Sequence, residues 1–206
     1  MIASAQDSQT AADHTEAGHI EADHIEASHT SYIGLGSNLD DRLAYLRFAI
    51  KSLSKIGQVR VSRLYASPPM GPQDQPDYLN AVVELVTTLS PLDLLDQLQS
   101  IEHDAGRVRK RHWGERTLDL DLLLYGQDQI QHPRLTVPHV GLMERDFVVL
   151  PLLDLLSQAT VGEVRLSDLA CVQNPTARAI SDLPDQNAIQ KAWFHDQLFK
   201  VAEKYT

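Results

Sequence analysis

The sequence contains a single cysteine, Cys171, among its 206 residues. An internal disulfide is therefore excluded, and a reducing compartment is the expected location. Long apolar runs are also lacking, since the longest, FVVLPLL at 147–153, falls far short of the roughly 20 residues of a membrane span. Aromatic residues make up only 6% of the chain, whereas hydrophobic residues make up 43%. These features predict a cytoplasmic protein with an aliphatic core and no membrane association.

Lysine and arginine are missing from the start of the chain, where the first basic residue is Arg42. Residues 1–30 carry six acidic residues, a large part of the net charge of −10, and lack the apolar block of a secretory signal. The segments ADHTE, AGHIE, ADHIE and ASHTS repeat every five residues over 12–31, a period that matches neither a helix nor a strand. We therefore predict that residues 1–30 form a disordered, histidine-rich acidic tail, with a weak metal-binding tail as the alternative.

From Ser31 onwards, apolar residues follow strand-like and helix-like spacings in turn. The predicted elements are a strand from 31 into a helix that ends near Gly57, strands at 59–65 and 80–89, a helix from 91 to about 105, and a strand within 116–126. This βαββαβ order is typical of a ferredoxin-like α+β fold, in which an antiparallel sheet has both helices on one face and its other face open to a ligand. We also predict a hairpin at 127–138, a helical region at 141–156 and an amphipathic C-terminal extension at 181–206. The folded domain is expected to span 31–180.

Local signals refine this outline. Ser37 or Asn38 is expected to cap the first helix, and Ser90 the second. Gly34 and Gly36 lack the spacing of a nucleotide-binding loop, so a tight strand-to-helix turn is favoured. Four prolines in residues 66–78 indicate a stiff loop with a function.

Two aspartates interrupt the apolar strand RTLDLDLLLYG, at 116–126. Alternation predicts that Leu118, Leu120, Leu122 and Leu124 face the helices, while Asp119 and Asp121 face the open side with Cα atoms roughly 6.5–7 Å apart. Neighbouring carboxylates repel each other unless a cation lies between them, and Mg²⁺ commonly combines one or two carboxylates with substrate phosphates. The preceding segment 106–116 holds five basic residues, which suit a small, highly charged anion better than a long nucleic acid. The alternative is a salt-bridge lattice between aspartates and arginines.

Several motifs in one order resemble a known family. They are GPQDQPDYLNAV (71–82), IExxxGRVRK (101–110), WGERTLDLDLLLYG (113–126) and RLTVPH (134–139). Together they resemble 6-hydroxymethyl-7,8-dihydropterin pyrophosphokinase, an enzyme of folate biosynthesis, in order from about Tyr32 to Leu156 and more weakly to about residue 180. The resemblance implies transfer of pyrophosphate from ATP to the pterin hydroxymethyl group, with release of AMP.

The resemblance also implies roles for individual residues. Asp119 and Asp121 would hold two Mg²⁺ ions, and Arg107 and Arg116 would neutralise the transferred phosphates. From the chemistry of the residues rather than from the resemblance, Asp121 is a candidate for the general base through its bound metal. The residues that match positions around ATP are Gln99, Glu102, Arg109, Leu122, Arg134, Thr136, His139 and Arg145. Those that match the pterin pocket are Ser67, Pro68, Met70, Tyr78, Asn80, Trp113 and Phe147.

Some of these assignments have structural alternatives. Trp113 and Tyr78 could belong to the core, and His139 could cap the following helix. Glu115 stands where many relatives have proline, and Val140 where some have an aromatic residue. ATP and the reduced pterin are the expected partners, with no nucleic acid, and a monomer is favoured over a homodimer. The competing functions are a ferredoxin-like binding module without turnover and a nucleotidyltransferase that releases pyrophosphate.

Overall fold

The computed structural model describes residues 27–107 and 114–180. Within them the helices are α1 (Arg42–Leu53), α2 (Pro91–Asp104), α3 (Asp146–Leu155) and α4 (Ala170–Gln173), with a 3₁₀ turn at Leu166–Asp168. The strands are β1 (His29–Ser37), β2 (Gln58–Val61), β3 (Tyr65–Ser67), β4 (Tyr78–Thr87), β5 (Asp119–Tyr125), β6 (Ile130–His132), β7 (Leu135–Val137), β8 (Thr160–Val161), β9 (Val164–Arg165) and β10 (Arg178–Ala179).

The main sheet has the strand order β10-β3-β4-β1-β5, with β2 pairing beside β3 on the same edge of β4. Every pairing in it is antiparallel. With β2 and β3 counted as one interrupted strand, this is the order of a ferredoxin-like fold. The predicted α+β class and βαββαβ core are confirmed.

The predicted strand at 59–65 is interrupted at Ser62. The Ser62 N–H donates to the Val82 carbonyl at 3.0 Å, while the Ser62 hydroxyl accepts from the Val82 N–H at 2.9 Å. The hydroxyl thus replaces a backbone carbonyl and allows the chain to bend between β2 and β3. Alternating apolar residues signal the pairing with β4 but carry no information about this bend.

Helices α1 and α2 cover one face of the sheet. Leu46 and Leu53 of α1 and Leu94 and Leu98 of α2 are fully buried in a cluster with the inward residues of the strands. Fully burying such a side chain contributes roughly 1.5–3 kcal/mol relative to leaving it exposed. This aliphatic layer is the main core that the sequence predicted.

The N-terminal cap of α2 was predicted correctly, whereas that of α1 was not. Ser90 caps α2, because its hydroxyl accepts from the Asp93 N–H at 3.3 Å. For α1 the prediction of Ser37 or Asn38 was wrong, since the Asp41 carboxylate accepts from the Ala44 N–H at 3.0 Å. Ser37 still belongs to β1, and the amide of Asn38 bonds elsewhere, as described below.

The opposite face is open at one end only. Helix α3, which is shorter than the predicted region 141–156, packs Val149 and Leu152 against Val82 and Leu123 of the sheet. The prediction that this face stays open therefore holds for the part around the first residues of β5 and not for the rest.

Strand β5 carries a bulge near its end. Leu122 pairs with Ile33 and Leu124 with Tyr32, so Leu123 has no partner in the register with β1. Leu123 and Leu124 therefore both pack on the α3 side, while Tyr125 joins the core under α1 and α2. The prediction that Leu124 faces the helices together with Leu118 was wrong, because one extra residue reverses the alternation.

The remaining segments complete the edges of the domain. The predicted hairpin at 127–138 is formed by β6 and β7, and β10 pairs with β3 at the far edge of the sheet. In the described ranges no helix is both long and apolar enough to cross a membrane. The predicted N-terminal tail and C-terminal helix lie almost entirely outside the described residues.

Candidate active site

The open end of the sheet forms the floor of a cavity of about 490 Å³. In the centre, Gly36 of β1 pairs with Asn80 of β4 on one side and with Asp119 of β5 on the other. A Cβ at Gly36 would lie 3.5 Å from Asn80 Oδ1 and 3.9 Å from Asp119 Cβ. The glycine therefore keeps the floor clear between two polar side chains. The predicted strand-to-helix turn at Gly34 and Gly36 was wrong, because both glycines lie inside β1.

The two aspartates of β5 both line this cavity, as alternation predicted. Asp119 is bound on both oxygens, by Arg107 Nη2 at 2.6 Å from Oδ1 and by Arg116 at Oδ2. Asp121 Oδ2 lies 3.9 Å from His139 Nε2. Burial and the neighbouring charge of Asp119 raise the pKa of Asp121, although His139, Arg145 and Arg116 act in the opposite direction. One carboxylate thus matches the predicted salt-bridge alternative, while the other is held in a site that disfavours its negative charge.

Glu102 of α2 is a buried carboxylate behind this pair. Its Oε1 accepts from the Leu120 N–H at 2.7 Å and from the Arg107 guanidinium. Burial raises the pKa of Glu102 in spite of these contacts. The side chain fixes Arg107 against β5 from the inner side, so in this structure its contacts are with the protein's own cationic and backbone groups.

His139 has a defined orientation. Its Nδ1 accepts from the Gly141 N–H at 3.2 Å, which leaves Nε2 as the nitrogen that carries a proton in the neutral ring and faces Asp121. The alternative that His139 caps the following helix is not observed, since α3 begins after Arg145 without a side-chain cap. His139 instead caps the turn at 139–141 and turns its other nitrogen to the cavity.

A second wall is formed by the end of β3, the loop after it and the start of α3. Asn80 Nδ2 donates to Ser67 Oγ at 2.9 Å, and both residues are buried. The Asn80 amide oxygen is consequently directed towards the floor beside Gly36. The Tyr78 hydroxyl donates to the Gly114 carbonyl at 3.3 Å, and burial raises the pKa of Tyr78. Tyr78 therefore lines the cavity rather than the main core.

Most of the described residues predicted for the site meet in one place. Those that line the cavity are Ser67, Pro68, Met70, Tyr78, Asn80, Gln99, Glu102, Arg107, Arg116, Asp119, Asp121, His139, Arg145 and Phe147. Leu122 points into the core at 2% exposure, Arg134 forms an ion pair with Asp96 on the surface, and Thr136 is on β7 outside the lining. Roles for these three remain predictions. Arg109 and Trp113 lie outside the described residues.

The donor set around Asp119 and Asp121 suits a hard divalent cation that is held mainly by its substrate. Among the described residues no group of three or more His, Cys, Asp or Glu side chains is arranged to hold a metal ion. A two-carboxylate set fits Mg²⁺, which takes one or two carboxylates and completes its octahedron with water and phosphate oxygens. The charge-disfavouring surroundings of Asp121 fit the same interpretation, since a cation would offset them.

Sequence reasoning missed two polar residues that support the site. Asn38, interpreted as a helix cap, is 1% exposed, and Gln75 in the proline-rich loop is 8% exposed. An asparagine directly after a buried strand was the available signal, but its partners are 37 and 78 residues away. Sequence spacing does not reveal such contacts.

The fold and the site together define an enzyme class. A ferredoxin-like sheet whose open end combines paired carboxylates with arginines around one cavity is suited to moving phosphoryl groups between small molecules. Residues 32–157 match the family model described as 7,8-dihydro-6-hydroxymethylpterin-pyrophosphokinase, HPPK. The chain belongs to this family.

Known proteins agree with this assignment. The chain is 54% identical over 131 residues to 2-amino-4-hydroxy-6-hydroxymethyldihydropteridine pyrophosphokinase of Haemophilus influenzae, covering 62% of this chain and 82% of the relative. The enzyme of the same name from Pseudomonas aeruginosa is 49% identical over 127 residues, covering 60% and 78%. A crystal structure of Plasmodium falciparum HPPK-DHPS with SDX-DHP matches with a TM-score of 0.57 at 14% identity, over 82% of this chain and 48% of that chain. The present chain thus spans about half of that solved chain, and this likeness supports the fold alone.

Proposed function

We propose that the cavity transfers the pyrophosphoryl group of ATP to the hydroxymethyl group of 6-hydroxymethyl-7,8-dihydropterin, as the family does in folate biosynthesis. The observation that carries this proposal is the single cavity in which Asp119 and Asp121 lie beside Arg107, Arg116 and Arg145. The products are the pterin diphosphate and AMP.

The reaction forms one bond and breaks one bond at the β-phosphorus of ATP. The pterin hydroxymethyl oxygen attacks this phosphorus, the bond to the oxygen bridging the α- and β-phosphorus atoms breaks, and AMP leaves with that oxygen. The hydroxyl proton is given up in the same step, and Asp121 stays our predicted acceptor. Such transfers depend mainly on alignment and on neutralisation of charge, which positioned arginines provide.

The arginines assigned to the phosphates are each held by a carboxylate of the protein. Arg107 is held by Glu102 and Asp119, and Arg116 by Asp119. A guanidinium has five donors, so it can keep a carboxylate contact and still offer other N–H groups to a phosphate oxygen. We assign Arg107 and Arg116 to the transferred phosphates and Arg145, near Asp121, to the nucleotide.

Asp119 and Asp121 are the residues that would hold Mg²⁺. When bound, Mg²⁺ would supply neutralisation of the phosphate charge, and we propose two ions because two-metal sites are common in phosphoryl displacement. Asp121 would hold a cation directly, whereas Asp119 would share its oxygens with the guanidinium groups of Arg107 and Arg116.

The pterin is assigned to the wall formed by Ser67, Pro68, Tyr78, Asn80 and Phe147. A flat heterocycle suits the face of Phe147, and the fixed amide oxygen of Asn80 accepts from an N–H on the pterin edge. Gly36 leaves the space beside Asn80 in which this edge would lie.

The decisive experiment identifies the product that ATP yields. The chain is incubated with Mg²⁺, ATP and the reduced pterin, and nucleotides and pterins are separated by chromatography. AMP should appear in equal amount with pterin diphosphate. ADP would indicate simple kinase chemistry, pyrophosphate would indicate nucleotidyl transfer, and the absence of any product would favour a binding module; each of these outcomes contradicts the proposal. A cytoplasmic location and a monomeric state remain predictions.

A further inference from the structure

Met70 is an exposed sulfur-containing side chain at the edge of the cavity. It is 55% exposed, and among the described residues it is one of four large apolar side chains that remain exposed. Of these four, only Met70 and Val140 line the cavity. Met70 lies in the loop between β3 and β4, directly after Pro68 and Pro69 of the same lining. A small reagent in solution therefore reaches the Met70 thioether without any opening of the fold.

The backbone of Met70 is held on both sides. Gln73 Nε2 donates to the Pro69 carbonyl at 2.9 Å and to the Gly71 carbonyl at 2.9 Å. Pro69 and Pro72 also restrict the backbone, because the proline ring fixes the φ angle. A chemical change at the Met70 side chain is therefore felt in the cavity, since the backbone that carries this side chain is kept in place.

The other described sulfur atoms are less accessible. Met143 and Cys171 are both partly buried and pack against the apolar cluster under α3. The Cys171 thiol donates to the Met143 carbonyl at 3.8 Å, and burial raises the pKa of this thiol, which lowers the fraction of reactive thiolate. The third methionine of the sequence, Met1, lies outside the described residues. Within the described ranges, Met70 is thus the sulfur that an oxidant meets first.

We propose that Met70 is a modification site, at which oxidation by a peroxide to methionine sulfoxide weakens binding of the pterin. A lone pair of Met70 Sδ attacks one peroxide oxygen, so that an S–O bond forms as the O–O bond breaks. The other oxygen leaves as hydroxide and takes the proton from the new S–OH group to give water. Sulfur loses two electrons and peroxide gains them. The effect on binding rests on the proposed function, whereas the chemistry at sulfur does not.

The sulfoxide changes the character of the wall to which the pterin is assigned. A thioether is apolar and polarisable, so a flat heterocycle can lie against it without loss of hydrogen bonds to water. A sulfoxide oxygen is a hydrated acceptor, and covering it without a new partner costs free energy. Binding of the pterin should therefore suffer more than binding of ATP, which is assigned to the arginines on the other side of the cavity.

Three variants separate this effect from general damage by the oxidant. Met70→Leu removes the sulfur and keeps an apolar side chain of similar volume. Met70→Gln is a polar mimic of the sulfoxide that peroxide does not change. Met143→Leu is the matched control, because it replaces a methionine that does not line the cavity. Each variant is compared with its own untreated sample.

The experiment treats wild type and the three variants with hydrogen peroxide for increasing times and stops the reaction with catalase. Mass spectrometry of peptides locates the added oxygen, and kcat and both KM values are measured before and after treatment. Parallel samples contain Mg²⁺ and a non-hydrolysable ATP analogue, with or without the fully oxidised 6-hydroxymethylpterin, which does not consume peroxide as the dihydropterin does. Thermal unfolding shows whether each sample is folded at the assay temperature.

Met70 should be oxidised at least about 5-fold faster than Met143 or Cys171, and the bound pterin should slow this oxidation. The KM of oxidised wild type for the reduced pterin should rise at least about 5-fold, with the KM for ATP within about 2-fold. Methionine sulfoxide reductases for both epimers should restore the original KM. Met70→Gln should show a raised pterin KM without peroxide. Met70→Leu should be insensitive to treatment, and Met143→Leu as sensitive as wild type.

Three results would overturn the inference while leaving the reaction in place. The first is an equal rise of the pterin KM on treatment of wild type and Met70→Leu. The second is a rise that the reductases do not reverse, and the third is oxidation of Met70 at the same rate with and without the pterin. Failure of untreated wild type to form AMP would instead remove the proposed function, and the order of sulfur oxidation and the protection by the pterin would still test the site.

Discussion

The cavity and the α3-covered patch lie on the same face of the same three strands, yet they differ in nearly every property. On β4 the outward residue changes from Asn80 in the cavity to Val82 under α3, and on β5 it changes from Asp121 to Leu123. One step of two residues along each strand thus separates a polar floor from an apolar core.

Helix α3, which covers one half of this face, is hydrogen-bonded to other segments at both of its ends. At the C-terminal end of the helix, Asp154 accepts from Arg63 Nη2 at 2.8 Å and from the Tyr65 hydroxyl. At the N-terminal end, Asp146 accepts from the Thr176 hydroxyl at 2.8 Å and from the Ala177 N–H at 2.9 Å. In the open half, by contrast, a partly buried carboxylate pair and a clear floor serve ligands at some expense in stability, as functional sites commonly do. The sheet therefore divides stability and chemistry between two neighbouring areas.

The largest effect should follow from Asp121→Asn in the open half. We expect activity to fall at least about 100-fold, in line with the loss of a preorganised charged group at a transition state. The midpoint of thermal unfolding without ligands should not fall, because the change removes repulsion between two carboxylates. Steady-state AMP formation and calorimetric unfolding test both parts. Near-normal turnover would remove Asp121 from the reaction.

The reciprocal variant is Leu152→Ala in the covered half, where the side chain is fully buried. The cavity it leaves should lower the free energy of unfolding by about 2–5 kcal/mol. Activity per folded molecule should stay within about 3-fold of wild type, since Leu152 does not line the cavity. Urea unfolding and turnover below the unfolding transition provide the measurement. A severe loss of kcat in the folded variant would contradict the division into two halves.

Gly36→Val tests whether the floor must be empty. The branched side chain would extend between Asn80 and Asp119, both already within 4 Å of a Cβ at this position. We expect kcat/KM for the pterin to fall on the order of 10-fold or more, with the fold retained because valine favours strands. Gly34→Ala is a milder companion, since its Cβ would meet the flexible end of Leu123 at 3.4 Å. Equal pterin kinetics in Gly36→Val and wild type would show that this space is unused.

Asp146→Asn tests whether the hydrogen bonds at the start of α3 also position the neighbouring residues that line the cavity. The neutral amide would lose charge-assisted bonds to Thr176 and Ala177, which should lower the free energy of unfolding by about 1–3 kcal/mol. Arg145 and Phe147 flank Asp146 and line the cavity, so a rise of both KM values of about 2- to 5-fold should accompany the loss. Thr176→Val is the matched control, because it removes one hydroxyl that donates to Asp146 and keeps the Asp146 carboxylate. Unchanged KM values in a destabilised Asp146→Asn would show that the fastening is purely structural.

The smallest effect concerns alkaline pH. Burial, followed by the hydrogen bond and the charge of Glu84, raises the pKa of Tyr32 to about 12. An unfolded tyrosine loses its proton near pH 10, so the stability that depends on the protonated hydroxyl is complete below about pH 10 and is lost as the pH rises towards about 12. Urea unfolding at pH 8, 10 and 11 should show a steeper decline in wild type than in Tyr32→Phe. Parallel declines would contradict this assignment.

The sequence carried enough information for the order of elements and for the carboxylate pair. Strand alternation placed Asp119 and Asp121 on one face, and helical spacing placed Leu94 and Leu98 in the core. Local rules failed where one residue alters the pattern. The bulge at Leu123 reverses the alternation, so Leu124 was assigned to the wrong face.

Hydrogen bonds between segments far apart in the chain could not be predicted from the sequence either. The hydroxyl of Ser62 bonds across to Val82, and the amide of Asn38 bonds to Gln75 and Arg116. Such residues look like ordinary turn or cap formers in the sequence, because the partners that give them another role are brought close only by the complete fold.

Strand β10 has a practical consequence for anyone who shortens this protein. The family match ends at residue 157, but Arg178 and Ala179 pair with β3, the strand whose last residue is Ser67. A chain cut at 157 would expose the backbone N–H and C=O groups of Tyr65 and Ala66 at the edge of the sheet. Such an unpaired edge strand can pair with a second molecule. It would also remove Thr176 and Ala177, which donate to the Asp146 carboxylate. Fragments that end where the family match ends are therefore expected to precipitate, whereas those that retain residues up to 180 should stay in solution.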